Sequence, residues 1–105
     1  MIGVVGGTGL RKIDGFNIAR ELLVDTPYGK PSDKILVGKL EDRDVAFLAR
    51  HGEGHTIPPH LINYRANIFA LENLGVEAIF SIATVGSIPL EIQPGSIVLP
   101  HQVID

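Results

Sequence analysis

Three short stretches carry residue types that together could hold an anion. The first is Gly6-Gly7-Thr8-Gly9. Lacking Cβ atoms, glycines let backbone N–H groups approach an anion closely and form a concave seat, and the Thr8 hydroxyl adds a donor. A tight turn after a strand explains the same glycines more plainly. The second is Arg50-His51. An arginine just past an apolar strand can pair bidentately with a phosphate. The histidine can donate a further hydrogen bond or orient a nucleophile. The plainer alternative is an arginine paired with a carboxylate and a histidine capping a loop. The third is Thr84-Val85-Gly86-Ser87. Its backbone N–H groups and two hydroxyls can complete a cradle, and Gly86 lets a flat ring lie against the main chain; an ordinary strand-to-turn junction would look the same.

Two other chemistries fit less well. The glycines after Gly3-Val4-Val5 suggest a dinucleotide turn, but Gly7-Thr8-Gly9 is followed by Leu10-Arg11-Lys12 and no third glycine. The G-x-G-x-x-G pattern fails, and no clear helical run follows. His51, His55 and His60, with Glu53 nearby, match no common zinc spacing.

The elements that must position these stretches follow from hydropathy. Residues 1–5 form a short apolar run ended by glycines, a buried strand feeding a tight turn. Residues 16–24 mix β-branched and polar side chains and suit a second strand. Residues 25–33 hold two prolines and a glycine among short polar side chains, which marks a loop. Residues 34–40 and 44–49 read as strands joined by a hairpin turn at 41–43. Residues 50–60 form a loop at the end of the second of these. Leu61, Tyr64, Ile68 and Leu71 recur at helical spacing, so residues 61–74 are expected to form a helix capped by Gly75. Ile62, Ala66, Phe69 and Leu74 widen its apolar face enough to imply burial on more than one side. Residues 78–83 and 96–99 read as further strands, the second after a turn at Pro94-Gly95. Strands alternating with a helix predict an α/β fold, a mixed and mostly buried β-sheet flanked by helices. In such sheets ligands bind beyond the carboxyl ends of strands. All three stretches occupy such ends.

Composition bounds the partners. The 105 residues suffice for one domain with a modest core, and 45% hydrophobic with 20% charged residues predicts a soluble globular chain. A formal net charge of −3 argues against broad nucleic-acid binding, so any anion site is local. No cysteine is present, which excludes disulfides and thiolate zinc sites. The N-terminus lacks both a basic leader and a long apolar run. Neither a signal peptide nor a membrane span is expected there, and cytoplasm is the expected location.

Taken together and in order, the stretches resemble a known family. Residues 2–10, 26–33 and 48–60, then 63–68, Val85-Gly86-Ser87 and Pro94-Gly95, are similar to the methylthioadenosine phosphorylases of the trimeric purine nucleoside phosphorylase group. The resemblance runs from Ile2 to Asp105. It implies a nucleoside-phosphorylase-like fold and the reversible phosphorolysis of an N-glycosidic bond, with inorganic phosphate as co-substrate and no cofactor. For 5′-methylthioadenosine the products would be adenine and methylthioribose 1-phosphate. It also implies that Thr8, Arg50, His51, Ala83 and Thr84 contact phosphate, and that Val85 and Gly86 form one wall of the purine pocket. It points to no catalytic side chain here, and to a homotrimer or multiple of trimers.

Two departures qualify these implications. Many members have a hydroxyl residue followed by alanine where this chain has Ala83 then Thr84. A backbone contact from position 84 survives the exchange, whereas a side-chain contact from position 83 does not. Members are also more than twice as long. The resemblance therefore implies that residues 1–105 are the N-terminal part of a single phosphorylase domain and inactive alone. 5′-Methylthioinosine, a general purine nucleoside, or a non-catalytic phosphate-binding subunit remain alternatives.

Overall fold

The computed structural model describes residues 1–7, 9 and 12–104. Five strands form one mixed sheet in the order β2-β3-β4-β1-β5. β1 spans Ile2–Gly6, β2 Phe16–Leu22, β3 Ile35–Leu40, β4 Arg43–Ala49 and β5 Ala78–Ser81. β1 lies between β4 and β5 and is parallel to both. A strand flanked on both sides and covered by packing reads as an apolar run rather than an alternation, which is why residues 1–5 are legible as a strand. β2, β3 and β4 form an antiparallel meander. Glu41 takes a left-handed φ of 51° in the hairpin turn between β3 and β4.

The core lies on both faces of the sheet. On one, Val5, Ile35, Val37, Ala46 and Leu48 meet Ala70 and Leu71 of the helix. On the other, Leu36, Phe47 and Ala49 pack with half-buried Val4 and Phe16. Adjacent residues of β3 thus feed opposite layers, as a period of two requires. Gly38 has a separate role. A Cβ there would collide with the Asn17 carbonyl on β2, next to the irregularity between Ile18 and Arg20.

The helix α1 spans Tyr64–Asn73, shorter than the expected 61–74. Pro59–Leu61 form a separate 3-10 turn, and Ile62 is extended with ψ 127°. The boundary is set by Asn63, whose side chain accepts a hydrogen bond from the Ala66 N–H at 3.1 Å. That caps one of the orphan donors of the first turn. At the other end Gly75 closes the helix as expected. With φ 89° it donates to Glu72 O, while Val76 N–H reaches Leu71 O, a paired closure that the left-handed residue permits.

Burial on several sides is not what the helix shows. Ala66, Asn67, Ala70 and Leu71 are buried, but Tyr64 is 57% and Ile68 48% exposed. The sheet covers one stripe and the loop at residues 25–33 touches Asn63, Asn67 and Phe69, but no described residues cover Tyr64 and Ile68 fully. The same reason applies to residues 96–99, which form no strand. A strand needs a ladder partner, and the outer edge of β5 pairs with nothing among the described residues. β5 itself ends at Ser81, two residues short of the expected 83.

The loop at residues 25–33 is fixed to α1 by two asparagines one helical turn apart. Asn63 Nδ2 donates to Tyr28 O at 2.7 Å. Asn67 Oδ1 accepts from Ser32 N–H at 2.8 Å, and its Nδ2 donates to Ser32 Oγ at 3.0 Å. Tyr28 and Phe69 meet edge to face at 5.9 Å. The loop in turn abuts the Arg50 segment, because Gly52 packs under the Ser32 carbonyl.

Candidate functional site

The parallel pairing of β4, β1 and β5 brings their carboxyl ends to one edge. Gly6 is in register with Ala49, and Val5 with both Leu48 and Ser81. The residues that follow these ends, Gly7, Arg50 and Ile82, therefore become neighbours. Backbone bonds seal the junction: Arg50 N–H donates to Gly6 O at 2.9 Å, and Ile82 N–H to Val5 O at 2.8 Å.

Arg50 is half-buried at this edge. Its Nη2 donates to Ser81 Oγ at 2.8 Å and Ile82 O at 2.9 Å, with Val5 O at 3.4 Å. All three acceptors are neutral, and Arg50 forms no ion pair with a described carboxylate. The expected alternative of a carboxylate partner does not occur among the described residues. The guanidinium is oriented through one nitrogen, and no described carboxylate offsets its charge. Nη1 and Nε make no hydrogen bond to a described residue.

His51 closes the next turn of chain, in keeping with the plainer alternative. Its Nδ1 lies 2.9 Å from Ile57 O, and Ile57 N–H donates to His51 O at 2.9 Å. Between them Gly52 and His55 hold left-handed φ values of 76° and 57°. These reversals turn the chain back so that the His55 ring lies against the His51 ring, centroids 4.3 Å apart and planes at 34°. Residue types alone place His55 only among possible metal ligands. The signal for its position is the Arg50-His51-Gly52-Glu53-Gly54-His55 pattern, in which two glycines let the loop fold on itself. No group of three His, Cys, Asp or Glu side chains comes together for a metal among the described residues.

Gly7, Gly9, Arg50, His51, His55, Ile82, Ala83 and Thr84 line one cleft of about 440 Å³. Four of the expected phosphate residues, Arg50, His51, Ala83 and Thr84, are thereby brought together. The fifth, Thr8, lies outside the described residues. Gly7 has no left-handed φ, and a Cβ on Gly7 or Gly9 would meet no described atom within 4 Å. Packing among the described residues therefore does not require glycine there, and no described atom fills the space in front of either backbone. Val85 and Gly86 do not join this cleft. They line a separate cavity built from residues 85–98.

A mixed sheet with an open cleft, lined by Arg50 and two histidines, at the carboxyl ends of parallel strands defines an α/β protein with a candidate ligand site at that edge. The comparisons narrow this class. Residues 1–105 match the model of the phosphorylase superfamily, and the chain belongs to that family. It is 52% identical over 104 residues to the S-methyl-5′-thioadenosine phosphorylase of Saccharolobus solfataricus, covering 99% of this chain and 38% of that protein. The enzyme of the same description from Nitrosopumilus maritimus is also 52% identical, with 99% and 40% covered. A probable S-methyl-5′-thioinosine phosphorylase from Pseudomonas syringae is 47% identical, with 97% and 42% covered. The chain thus spans about two fifths of the length of these relatives. Among solved structures, a methylthioadenosine phosphorylase from an antarctic soil metagenomic library superposes with TM-score 0.72 at 48% identity, over 76% of this chain and 28% of that one. The Schistosoma mansoni methylthioadenosine phosphorylase in complex with adenine gives 0.69 at 42%, over 76% and 28%. The resemblance read from the ordered motifs is therefore correct, as is the α/β, nucleoside-phosphorylase-like fold class. No helix among the described residues is long and apolar enough to cross a membrane.

Proposed function

We propose that residues 1–105 supply the phosphate seat of a purine nucleoside phosphorylase that cleaves the N-glycosidic bond of 5′-methylthioadenosine, as the N-terminal part of a single domain. A phosphate oxygen bonds to the anomeric carbon of the ribose as the carbon–nitrogen bond breaks. The electron pair leaves with the purine nitrogen, which takes up the proton that hydrogen phosphate gives up, giving adenine and methylthioribose 1-phosphate. Positive charge develops on the sugar, so a fixed phosphate dianion beside it acts as nucleophile and as electrostatic stabiliser. The reaction needs donors to hold phosphate rather than a catalytic carboxylate or a cofactor.

The observation that carries this reading is Arg50. An oriented, half-buried guanidinium whose partners among the described residues are all neutral lines one cleft with Gly7 and Gly9. A charge-assisted fork of this kind suits an oxyanion. His51, Ala83 and Thr84 complete the seat, with Thr8 beside Gly7. We place the working enzyme in the cytoplasm as a homotrimer or multiple of trimers, with nucleoside and phosphate as its ligands and neither nucleic acid nor membrane as a partner. The 105-residue chain alone is expected to hold phosphate without turnover.

The test is a chimera in which residues 1–105 replace the matching segment of the Saccharolobus solfataricus relative. Phosphate-dependent release of adenine from 5′-methylthioadenosine is expected. A folded chimera without that activity overturns the proposal. The Pseudomonas syringae relative supports 5′-methylthioinosine as a second reading, and a preference for that substrate would select it.

A further inference from the structure

The way His51 is held determines what its outer nitrogen can do. A carbonyl oxygen only accepts hydrogen bonds, so the 2.9 Å contact between His51 Nδ1 and Ile57 O requires a proton on Nδ1. The bond is locked on both sides, because Ile57 N–H returns to the His51 carbonyl. His55 stacked on the ring restricts its rotation further. With Nδ1–H spent on the backbone, the neutral ring presents Nε2 as a bare lone pair. The ring lines the same cleft as the Arg50 guanidinium.

We propose that the cleft is built to recognise a tetrahedral oxyanion that still carries one proton, with its O–H donating to His51 Nε2. This deepens the phosphate reading above and rests on it. Hydrogen phosphate dianion meets the requirement. Its hydroxyl faces His51, while its unprotonated oxygens accept from Arg50 and from the Gly7 N–H. Among these donors His51 Nε2 is an acceptor, and it fixes which oxygen bears the proton. An unprotonated oxygen is left to act as nucleophile. Sulfate has the same shape and charge but no proton, so it sets an oxygen lone pair against the Nε2 lone pair. Arg50 and His55 are the titratable groups lining the cleft with His51, and neither the described residues of the Gly7 turn nor residues 82–84 add another.

The experiment titrates the 105-residue chain with phosphate, arsenate, sulfate and selenate at about pH 8.5, where an ordinary imidazole is neutral. Phosphate and arsenate carry a hydroxyl there, and sulfate and selenate do not. The first pair is expected to bind about tenfold tighter or more, the cost of an unmet acceptor. Selenate against arsenate removes size as an explanation. In His51→Gln, whose amide can turn to donate or accept, the four anions should converge. Long-range proton–nitrogen NMR of His51 should show hydrogen on Nδ1 and none on Nε2. Equal affinity of the four for the unmodified chain, or a proton on Nε2 in the neutral ring, overturns the proposal. Binding of none of them overturns the phosphate seat itself, while the NMR result still decides the His51 assignment. If the short chain does not fold, the same panel is read on the chimera, as KM for phosphate and arsenate and as inhibition by sulfate and selenate, with the same outcomes deciding.

Discussion

Arg50 and Ile82 face each other across the end of β1, with Arg50 Nη2 donating to the Ile82 carbonyl at 2.9 Å. This bond spans three strands. It starts one residue beyond β4, passes the end of β1, and lands one residue beyond β5. The side chain proposed to hold phosphate thereby also fastens the edge that forms its cleft. The backbone bonds from Arg50 to Gly6 and from Ile82 to Val5 hold the same junction without the side chain. The two roles of Arg50 can therefore be separated by mutation.

Arg50→Ala removes the charge and the fork but leaves those backbone bonds. Phosphate affinity should fall about tenfold to a hundredfold, the range for losing a charged donor. Arg50→Lys keeps the charge, lacks the planar fork, and should fall between. Phosphate titration of the chain, or KM for phosphate in the chimera, measures both. An Arg50→Ala protein with unchanged phosphate dependence would remove Arg50 from the seat.

Of the two asparagines that hold the loop at residues 25–33, Asn67 is the buried one. Asn67 is 3% exposed and satisfies both the Ser32 N–H and its hydroxyl. Asn67→Ala leaves the Ser32 N–H without its acceptor and opens a small void. A loss of about 1–3 kcal/mol in chemical denaturation is expected. Because Gly52 packs against the same Ser32 carbonyl, the mutation should also loosen the His51–His55 turn. Weaker stacking of the two rings would show as changed ring shifts in NMR. A protein with unchanged stability and unchanged ring shifts would mean that the loop is held by other contacts.

Much of this is legible in the sequence because the signals are local. Ile2–Gly6 is an apolar run ended by glycines, and the strands on either side of the 41–43 turn are apolar stretches flanking polar residues. Gly75 marks the helix end because few other residues accept its backbone angle. What the sequence hides depends on contacts distant along the chain. Asn63 starts α1 because its side chain caps Ala66 and reaches Tyr28, whereas the apolar spacing alone extends the helix back to Leu61. The breadth of the apolar face is visible, but which part of it is covered depends on the layers present. His55 takes a left-handed backbone that a histidine does not advertise, so its stacking on His51 cannot be read from residue type. The convergence of Arg50, His51, Ala83 and Thr84 is expected from strand ends and family order. Sequence adjacency places Val85 and Gly86 beside them, but the chain turns away after Thr84 into the separate 85–98 cavity.

Gly38 gives the sharpest test of the sheet. Its φ is not left-handed, so an alanine is allowed conformationally. The obstacle is steric, since the new Cβ would collide with the Asn17 carbonyl and crowd Ile18 Cα, both backbone atoms that cannot rotate away. Gly38→Ala should force β2 to shift away from β3, at a cost of at least about 1–3 kcal/mol. β2 lies at the edge of the sheet, far in order from β1 and β5, so the cleft should be spared. The expected result is a lower denaturation midpoint, faster hydrogen exchange confined to β2 and its partner amides on β3, and phosphate affinity within about twofold of the original, since sites without shared contacts behave nearly additively. An unaltered midpoint would mean that the close approach of β2 to Gly38 is not present in solution.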